Sequence, residues 1–283
     1  MFIILGAAGN VGSEVVRKLT SAGQKVIAVV HSPSKADALC SDAVEPVVVD
    51  LADSEALRPV LRRGTRALLL NPPGDPGGDS NAQELATARS ITNALAGSGL
   101  EKIVVTSTYG ARQGDSIGDL STLYTFEQLA IASGIPAAIN RGAYYFTNLD
   151  MLAGAAAEGS LPTAFPSDFP LPMVAAPDLG AFAAKRLMSS LDDTGVVHIE
   201  GPERYTFADV AAAFAKHLGR EVKLATTPRE QWEESFRSVG FSKASARSFA
   251  RMTAATIDAP DMPDAPLRGQ VSLDEYVANL VAG

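Results

Sequence analysis

The chain has 283 residues, 46% hydrophobic and 20% charged, enough to bury one large core or two modest ones in a folded globular protein. A formal net charge of −8, with no stretch that concentrates Lys and Arg among aromatics, argues against a nucleic-acid partner, and no apolar run approaches the ~18 residues that a bilayer span needs. The single cysteine, Cys40, excludes an internal disulfide and fits a reducing, cytoplasmic location, and His31, His198 and His217 are too scattered for metal-ligand spacing, so no metal is expected.

The chain opens on IILGAAGNVG at residues 3–12, an apolar run that meets Gly6, Gly9 and Gly12 and passes into an amphipathic stretch over 11–22. This reads as a strand, a tight turn and a helix. Gly6 lets the chain leave the strand, Gly9 removes side-chain bulk where a pyrophosphate would lie, and Gly12 lets helix and sheet pack closely. Open N–H groups at the helix start suit an anion. Gly6, Ala8, Gly9, Asn10 and Val11 are therefore candidate dinucleotide contacts, placed as in a first Rossmann unit. A strand beginning at residue 2 leaves no room for a signal-peptide pattern before it.

Gly23 stops the first helix, and residues 24–30 form a second strand whose continuous apolarity suits a parallel sheet covered on both faces. An NAD-preferring site carries an acid near the end of this strand, where the present chain reads HSPSK. His31, Ser32 and Lys35 would instead meet an adenosine 2′-phosphate, which favours NADP(H) and leaves NAD open. The competing reading is a solvated loop whose Lys35 opens the next helix.

A third strand at 45–50 ends in Asp50 and Leu51, which suit an adenine amino group and ring, while Asp53 reads as the N-cap of a helix over 54–63, shortened or kinked by Pro59. The fourth strand, 65–70, ends in Asn71, Pro72 and Pro73, expected to border the nicotinamide. A helix at 82–96 leads to a fifth strand at 101–108, whose Thr106 and Ser107 point at the same crevice. A helix at 121–133 and a strand at 137–141 complete six strands alternating with helices, which predict an α/β fold with a doubly wound parallel sheet.

Four stretches together resemble the NmrA-like family of atypical short-chain dehydrogenases/reductases: GAAGNVG at the N-terminus, ASGIPAAINRGAYYFTN at 132–148, AAPDLG at 175–180 and GPERYTFADVAAAFAKHLGREV at 201–222. The resemblance implies an NADP(H)-binding Rossmann domain and a small C-terminal substrate lobe. Short-chain dehydrogenases usually work with Tyr-x-x-x-Lys, the ammonium lowering the tyrosine pKa. Here Tyr124 is followed four residues later by Gln128, and counting back from the GIP segment puts Leu123 where related reductases carry a lysine or histidine. Tyr124 is thus a weak catalytic candidate, able to donate a hydrogen bond but poorly suited as a base. Hydride transfer to a quinone-like acceptor can proceed on orientation alone, with protons drawn from water. Tyr109, Tyr144, Tyr145 and Phe146 are candidate walls of an aromatic-accepting pocket, with core packing the competing role for each. Arg141 anchors either a substrate oxygen or a salt bridge.

Residues 1–150 are assigned to the NAD(P)-binding domain and 151–283 to the substrate lobe, with part of 175–195 packing back on the first. In the second lobe a proline-punctuated loop around 161–172 reads as a lid. Asp178 is expected to cap a helix over 181–191, Thr206 and Asp209 have capping-box spacing, and Trp232 and Phe236 share one helix. The expected function is NADP(H)-dependent reduction of a small aromatic or quinone-like acceptor. The alternative is a non-catalytic NADP(H) sensor with a regulatory protein partner, and a weaker third is an isomerase or dehydratase with tightly held cofactor. A homo-oligomer remains open.

Overall fold

The computed structural model describes residues 1–282. In chain order its first half holds β1 (Phe2–Leu5), α1 (Asn10–Ser21), β2 (Val26–Val30), α2 (Pro33–Leu39), β3 (Val44–Val48), α3 (Ser54–Leu61), β4 (Arg66–Leu69), α4 (Ser80–Ala94), β5 (Lys102–Thr108), α5 (Asp119–Ala132) and β6 (Ala137–Gly142). The second half holds β7 (Tyr144–Tyr145), a 3-10 helix (Phe146–Leu152), α6 (Ala153–Ala157), β8 (Ser160–Thr163), β9 (Leu171–Val174), α7 (Ala176–Met188), β10 (Gly195–Glu200), β11 (Arg204–Tyr205), α8 (Phe207–Leu218) and β12 (Lys223–Thr226). It closes with α9 (Trp232–Ser238), α10 (Lys243–Asp258), β13 (Leu267–Arg268) and α11 (Leu273–Ala282).

Eight strands form one parallel sheet in the order β13-β10-β6-β5-β4-β1-β2-β3. The doubly wound α/β fold expected from the six-strand alternation is present. Strands β1 and β2 are buried at every position, because helices cover both faces of the sheet. One face packs Ile4, Ala28, Val104 and Ala138 under α1 and α7; the other packs Ile3, Leu69, Val105 and Ile139 under α3, α4 and α5. The order in which successive strands are added reverses between β1 and β4, so their carboxyl ends flank the crevice in which such sheets bind ligands.

A third core gathers Phe146, Leu161, Leu171, Tyr205, Phe207 and Phe214 in the later chain. The capping box of α8 forms as its spacing predicts, with Asp209 N–H donating to the Thr206 hydroxyl and Thr206 N–H to the Asp209 carboxylate. Asp53 likewise accepts from the N–H groups of Glu55 and Ala56 at the start of α3, which ends after eight residues.

Two expectations need correction. Helix α7 starts at Ala176, five residues earlier than expected, and Asp178 lies inside its first turn; its carboxylate accepts from the N–H groups of Gln270 and Val271 at 3.0 and 3.1 Å instead of capping the helix. The segment expected as a lid is pinned, with Phe165 stacked on Phe207 at 5.5 Å between ring centroids and Phe169 on Phe165 at 5.9 Å. Trp232 and Phe236 share α9, as expected, and α10 follows it as a further helix.

Helix α10 crosses back onto the first half of the chain. Its buried face is Ser245, Ala246, Ser248, Ala250 and Thr253, and it docks by hydrogen bonds rather than by bulk. Ser242 N–H donates to Pro76 O at 2.8 Å, the Ser245 hydroxyl to Gly78 O at 2.8 Å, and Gly118 N–H to the Ser248 hydroxyl at 3.0 Å. On the other side α7 lies along α1, and Gly180 makes this approach possible: a Cβ there would come within 2.6 Å of the Glu14 Cβ.

Candidate active site

The carboxyl ends of β1, β2, β4, β5 and β6 converge on one crevice. Gly6 leaves β1 with φ +66°, and Gly9 N–H donates to its carbonyl at 2.9 Å. A Cβ on Gly12 would lie 2.8 Å from the Gly6 carbonyl carbon, so the strand and α1 meet only because that position is bare. Gly9 is the N-cap of α1 and offers no side-chain bond, and the first turn carries no acid. The helix therefore presents open N–H groups and an uncompensated positive end beside exposed Gly9 and Asn10 and partly exposed Ala8. Val11 is 4% exposed and belongs to the core, so only its backbone can face a ligand.

At the end of β2, His31 and Lys35 are exposed and Ser32, the N-cap of α2, lies 3.3 Å from the Ser34 hydroxyl. No acid occupies the first turn of α2. At the end of β3, one Asp50 oxygen accepts from Ala52 N–H at 2.9 Å while Leu51 packs against the core. Past β4, Asn71 donates through Nδ2 to Glu84 O at 3.1 Å, and its Oδ1 is buried with no partner. Pro72 is partly and Pro73 fully exposed, and Gly74 N–H donates to Glu84 Oε1 at 3.0 Å. An uncapped helix, a bare glycine contact, an acid-free β2 end and an orphaned Asn71 acceptor all fit a dinucleotide. NADP(H) would be held by these groups.

Several expected roles do not survive the geometry. Thr106 is partly exposed, but Ser107 is 1% exposed and its hydroxyl proton is donated to Glu127 Oε1 at 2.5 Å, inside the protein. Glu127 is itself 1% exposed and takes two guanidinium N–H groups from Arg141 at 2.9 and 2.8 Å. This fastening, more than burial can offset, holds the Arg141 guanidinium above its ordinary pKa. Arg141 is thus the salt-bridge anchor. Tyr124 and Gln128 line a shallow surface groove with Gln113 and Gly114. Tyr124 lies one helical turn from Glu127 and near the Arg141 guanidinium, and Gln128 stands where a lysine partner would.

The aromatic residues divide. Phe146 is fully buried between the rings of Tyr205 and Tyr276, at 6.0 and 5.2 Å, so it is core and no pocket wall. Tyr144 is partly exposed, its ring edge against Phe165 and Phe207, and burial pushes its hydroxyl up to about 12. Tyr145 is partly exposed and packs against Gly142, where a Cβ would be 3.1 Å from its ring; burial, then the Asp119 charge, raises its pKa. Tyr109 packs edge-on to His198 at 5.1 Å, and its hydroxyl is buried without a partner, which raises its pKa.

Four residues near the crevice carry no sequence signal. Glu84 on α4 accepts from the Thr122 hydroxyl of α5 at 2.7 Å, three residues from Asp119, whose carboxyl is pushed up to about 7 by burial first and then by the Glu84 charge. His198 lies 3.1 Å from Asp261, which also accepts from Gly110 N–H at 2.9 Å and stretches the chain after α10 over the end of β5. These contacts join elements far apart in the chain. A separate groove of about 400 Å³, lined by Asp150, Ala175, Pro177, Val271, Tyr276 and Leu280, contains none of the candidate residues. Among the described residues no helix is long and apolar enough to cross a membrane.

Comparison with known proteins gives a consistent pattern. The model of the NmrA-like family matches residues 1–260. Quinone oxidoreductase 2 of Escherichia coli is 26% identical over 242 residues, covering 85% of this chain and 82% of that protein. The NAD(P)H azoreductase of Xenophilus azovorans is 24% identical over 253 residues, covering 87% and 84%. The Citrobacter sp. triphenylmethane reductase, solved with NADP(H), superposes with a TM-score of 0.82 at 18% identity, covering 99% of this chain and 100% of that one.

Proposed function

The chain belongs to the NmrA-like family, and from that membership we propose that it is an NADP(H)-dependent oxidoreductase acting on a small aromatic or quinone-like acceptor. The observation that carries the reading is the pairing of an uncapped α1 N-terminus with an acid-free β2 end. The first suits a pyrophosphate and the second a 2′-phosphate. The quinone, azo and triphenylmethane reductases that the chain resembles support the acceptor class.

In this reading the N–H groups of Asn10 and Val11 hold the pyrophosphate, and His31, Ser32 and Lys35 hold the adenosine 2′-phosphate. Asp50 and Leu51 receive the adenine. The Asn71 Oδ1 acceptor, with Pro72 and Pro73, positions the nicotinamide end of the cofactor, which supplies the hydride when bound. Tyr109, Tyr144 and Tyr145 border the acceptor. No Tyr-Lys pair is needed, because a positioned donor and acceptor supply much of the rate. Residues 1–150 then serve the cofactor and 151–283 the acceptor.

The test is fluorescence titration with NADPH and NADH, followed by measurement of NADPH consumption with quinones, azo dyes and triphenylmethane dyes. Tight NADPH binding with turnover is expected. Tight binding without turnover on any acceptor overturns the reading in favour of a sensor.

A further inference from the structure

Tyr109 is the first residue past β5, and Asn71, Pro72 and Pro73 follow β4, the neighbouring strand, which pairs with β5 with Leu69 opposite Val105. Tyr109 therefore leaves the carboxyl edge of the sheet one strand over, about 5 Å, from the run proposed to border the nicotinamide. Its hydroxyl is enclosed and bonds nothing, so the hydroxyl does not set the tilt of the ring. That tilt is left to whatever fixes the backbone and whatever lies against the ring.

Both lead to one atom. Tyr109 N–H donates to Gly142 O at 2.9 Å, and the next amide, Gly110 N–H, donates to Asp261 Oδ2 at 2.9 Å. The His198 imidazole stands at 83° to the Tyr109 ring with centroids 5.1 Å apart, and its Nε2 lies 3.1 Å from the same Asp261 Oδ2. The His198 bond first, helped by the Gly110 N–H, outweighs burial and holds the Asp261 carboxyl below the usual carboxylate range. A carboxylate only accepts, so Nε2 carries the hydrogen of this contact and the imidazole is held in one orientation.

Asp261 arrives from far along the chain. It sits in the strap between α10 and β13, which carries Pro260, Pro263 and Pro266, and residues 260–266 make no backbone–backbone hydrogen bond among the described residues. Side chains hold the strap instead: Asp261 at Gly110 and His198, and Arg204 Nη2 donating to Pro263 O at 2.6 Å. Replacing Asp261 thus spares the second fastening.

We propose that Asp261 is a positioning residue for the acceptor: through the Gly110 N–H and the His198 imidazole it fixes the Tyr109 ring as a wall against which a planar acceptor lies. The inference rests on the oxidoreductase reading. A wall ordered before binding costs no ordering when the acceptor arrives, so its loss falls on KM rather than on kcat.

The experiment measures kcat and KM for NADPH-dependent reduction of 1,4-naphthoquinone, and NADPH Kd by fluorescence, in wild type, Asp261→Ala, Asp261→Asn, Tyr109→Ala and the double variant Asp261→Ala/Tyr109→Ala. Asp261→Ala should raise KM about tenfold, the equivalent of one lost charge-assisted bond, with kcat and NADPH Kd within about twofold. Asp261→Asn, which keeps an acceptor oxygen, should restore most of the KM. In the Tyr109→Ala background the loss of Asp261 should cost nothing further, because the two act as one unit. Additive losses, an unmoved KM, or a joint fall of kcat and NADPH affinity overturn the proposal. Fluorine NMR of the full chain labelled with fluorotyrosine reads the wall without turnover. Of the six tyrosine lines, the one lost in Tyr109→Phe should move in Asp261→Ala and hold its place in Asp261→Asn. A line unmoved by Asp261→Ala overturns the positioning. A wild type that reduces no quinone while Asp261→Ala still moves the line overturns the oxidoreductase reading and upholds the grip of Asp261 on Tyr109.

Discussion

Glu127 on α5 grips Arg141 at the end of β6 through two N–H···O bonds of 2.9 and 2.8 Å, and the same carboxylate takes the Ser107 hydroxyl from β5. Three elements at the carboxyl edge of the sheet are fastened by one buried acid. Replacing Glu127 with Ala would leave the Arg141 charge, 17% exposed, without a counter-ion. A loss of about 3–5 kcal/mol is expected from such an uncompensated charge, read as a lower urea midpoint. An unchanged midpoint would show that the pair is dispensable to the fold.

Gly9→Glu should abolish NADPH binding while circular dichroism remains native. Gly9 is exposed, and a Cβ there meets only the Gly6 carbonyl at 3.3 Å, so the change costs the fold little and sets a negative charge at the open end of α1. Binding retained in the fluorescence titration would remove the pyrophosphate from this turn.

Lys35→Ala should weaken NADPH by about tenfold, the equivalent of one charge-assisted bond, and leave NADH unaffected. The side chain is exposed and has no partner among the hydrogen bonds and ion pairs of the described residues, so stability should not move. Equal weakening of both cofactors would contradict a 2′-phosphate contact.

Asp119 predicts a pH dependence of stability. Its folded pKa is raised above its ordinary value near 4, chiefly by burial, so the folded chain binds this proton more readily than the unfolded one. The stabilisation is complete below that ordinary value and is lost as pH rises through the raised one. Urea midpoints across that interval should fall more steeply for wild type than for Asp119→Asn. Parallel curves would refute the raised value.

Much of the fold was legible because its signals are local. The glycines of β1–α1 and the unbroken apolarity of β2 stand in consecutive residues and report their own environment. The caps Asp53 and Thr206 are equally local, each bonding an N–H two or three residues on. The site was less legible. Ser107 looked open because nothing near it in the chain announces Glu127, twenty residues later on another element. Tyr124 was a weak candidate for want of a lysine at Gln128, and no local signal announced buried Glu84 or Asp119 at the start of α5. Helix α10 left no apolar period because its buried face is serine, alanine and threonine, a surface that docks by hydroxyl groups.

The sheet itself limits how the crevice can open. Strands β10 and β13 come from the later chain, yet they extend the sheet begun by the first 142 residues, β10 pairing with β6 over five positions. A hinge between the two halves would have to tear that ladder. Outside that ladder the serine-faced α10 rests on residues 76–81 through hydroxyl bonds and one backbone bond, Ser242 N–H to Pro76 O, so any opening of the crevice that spares the sheet has to break these.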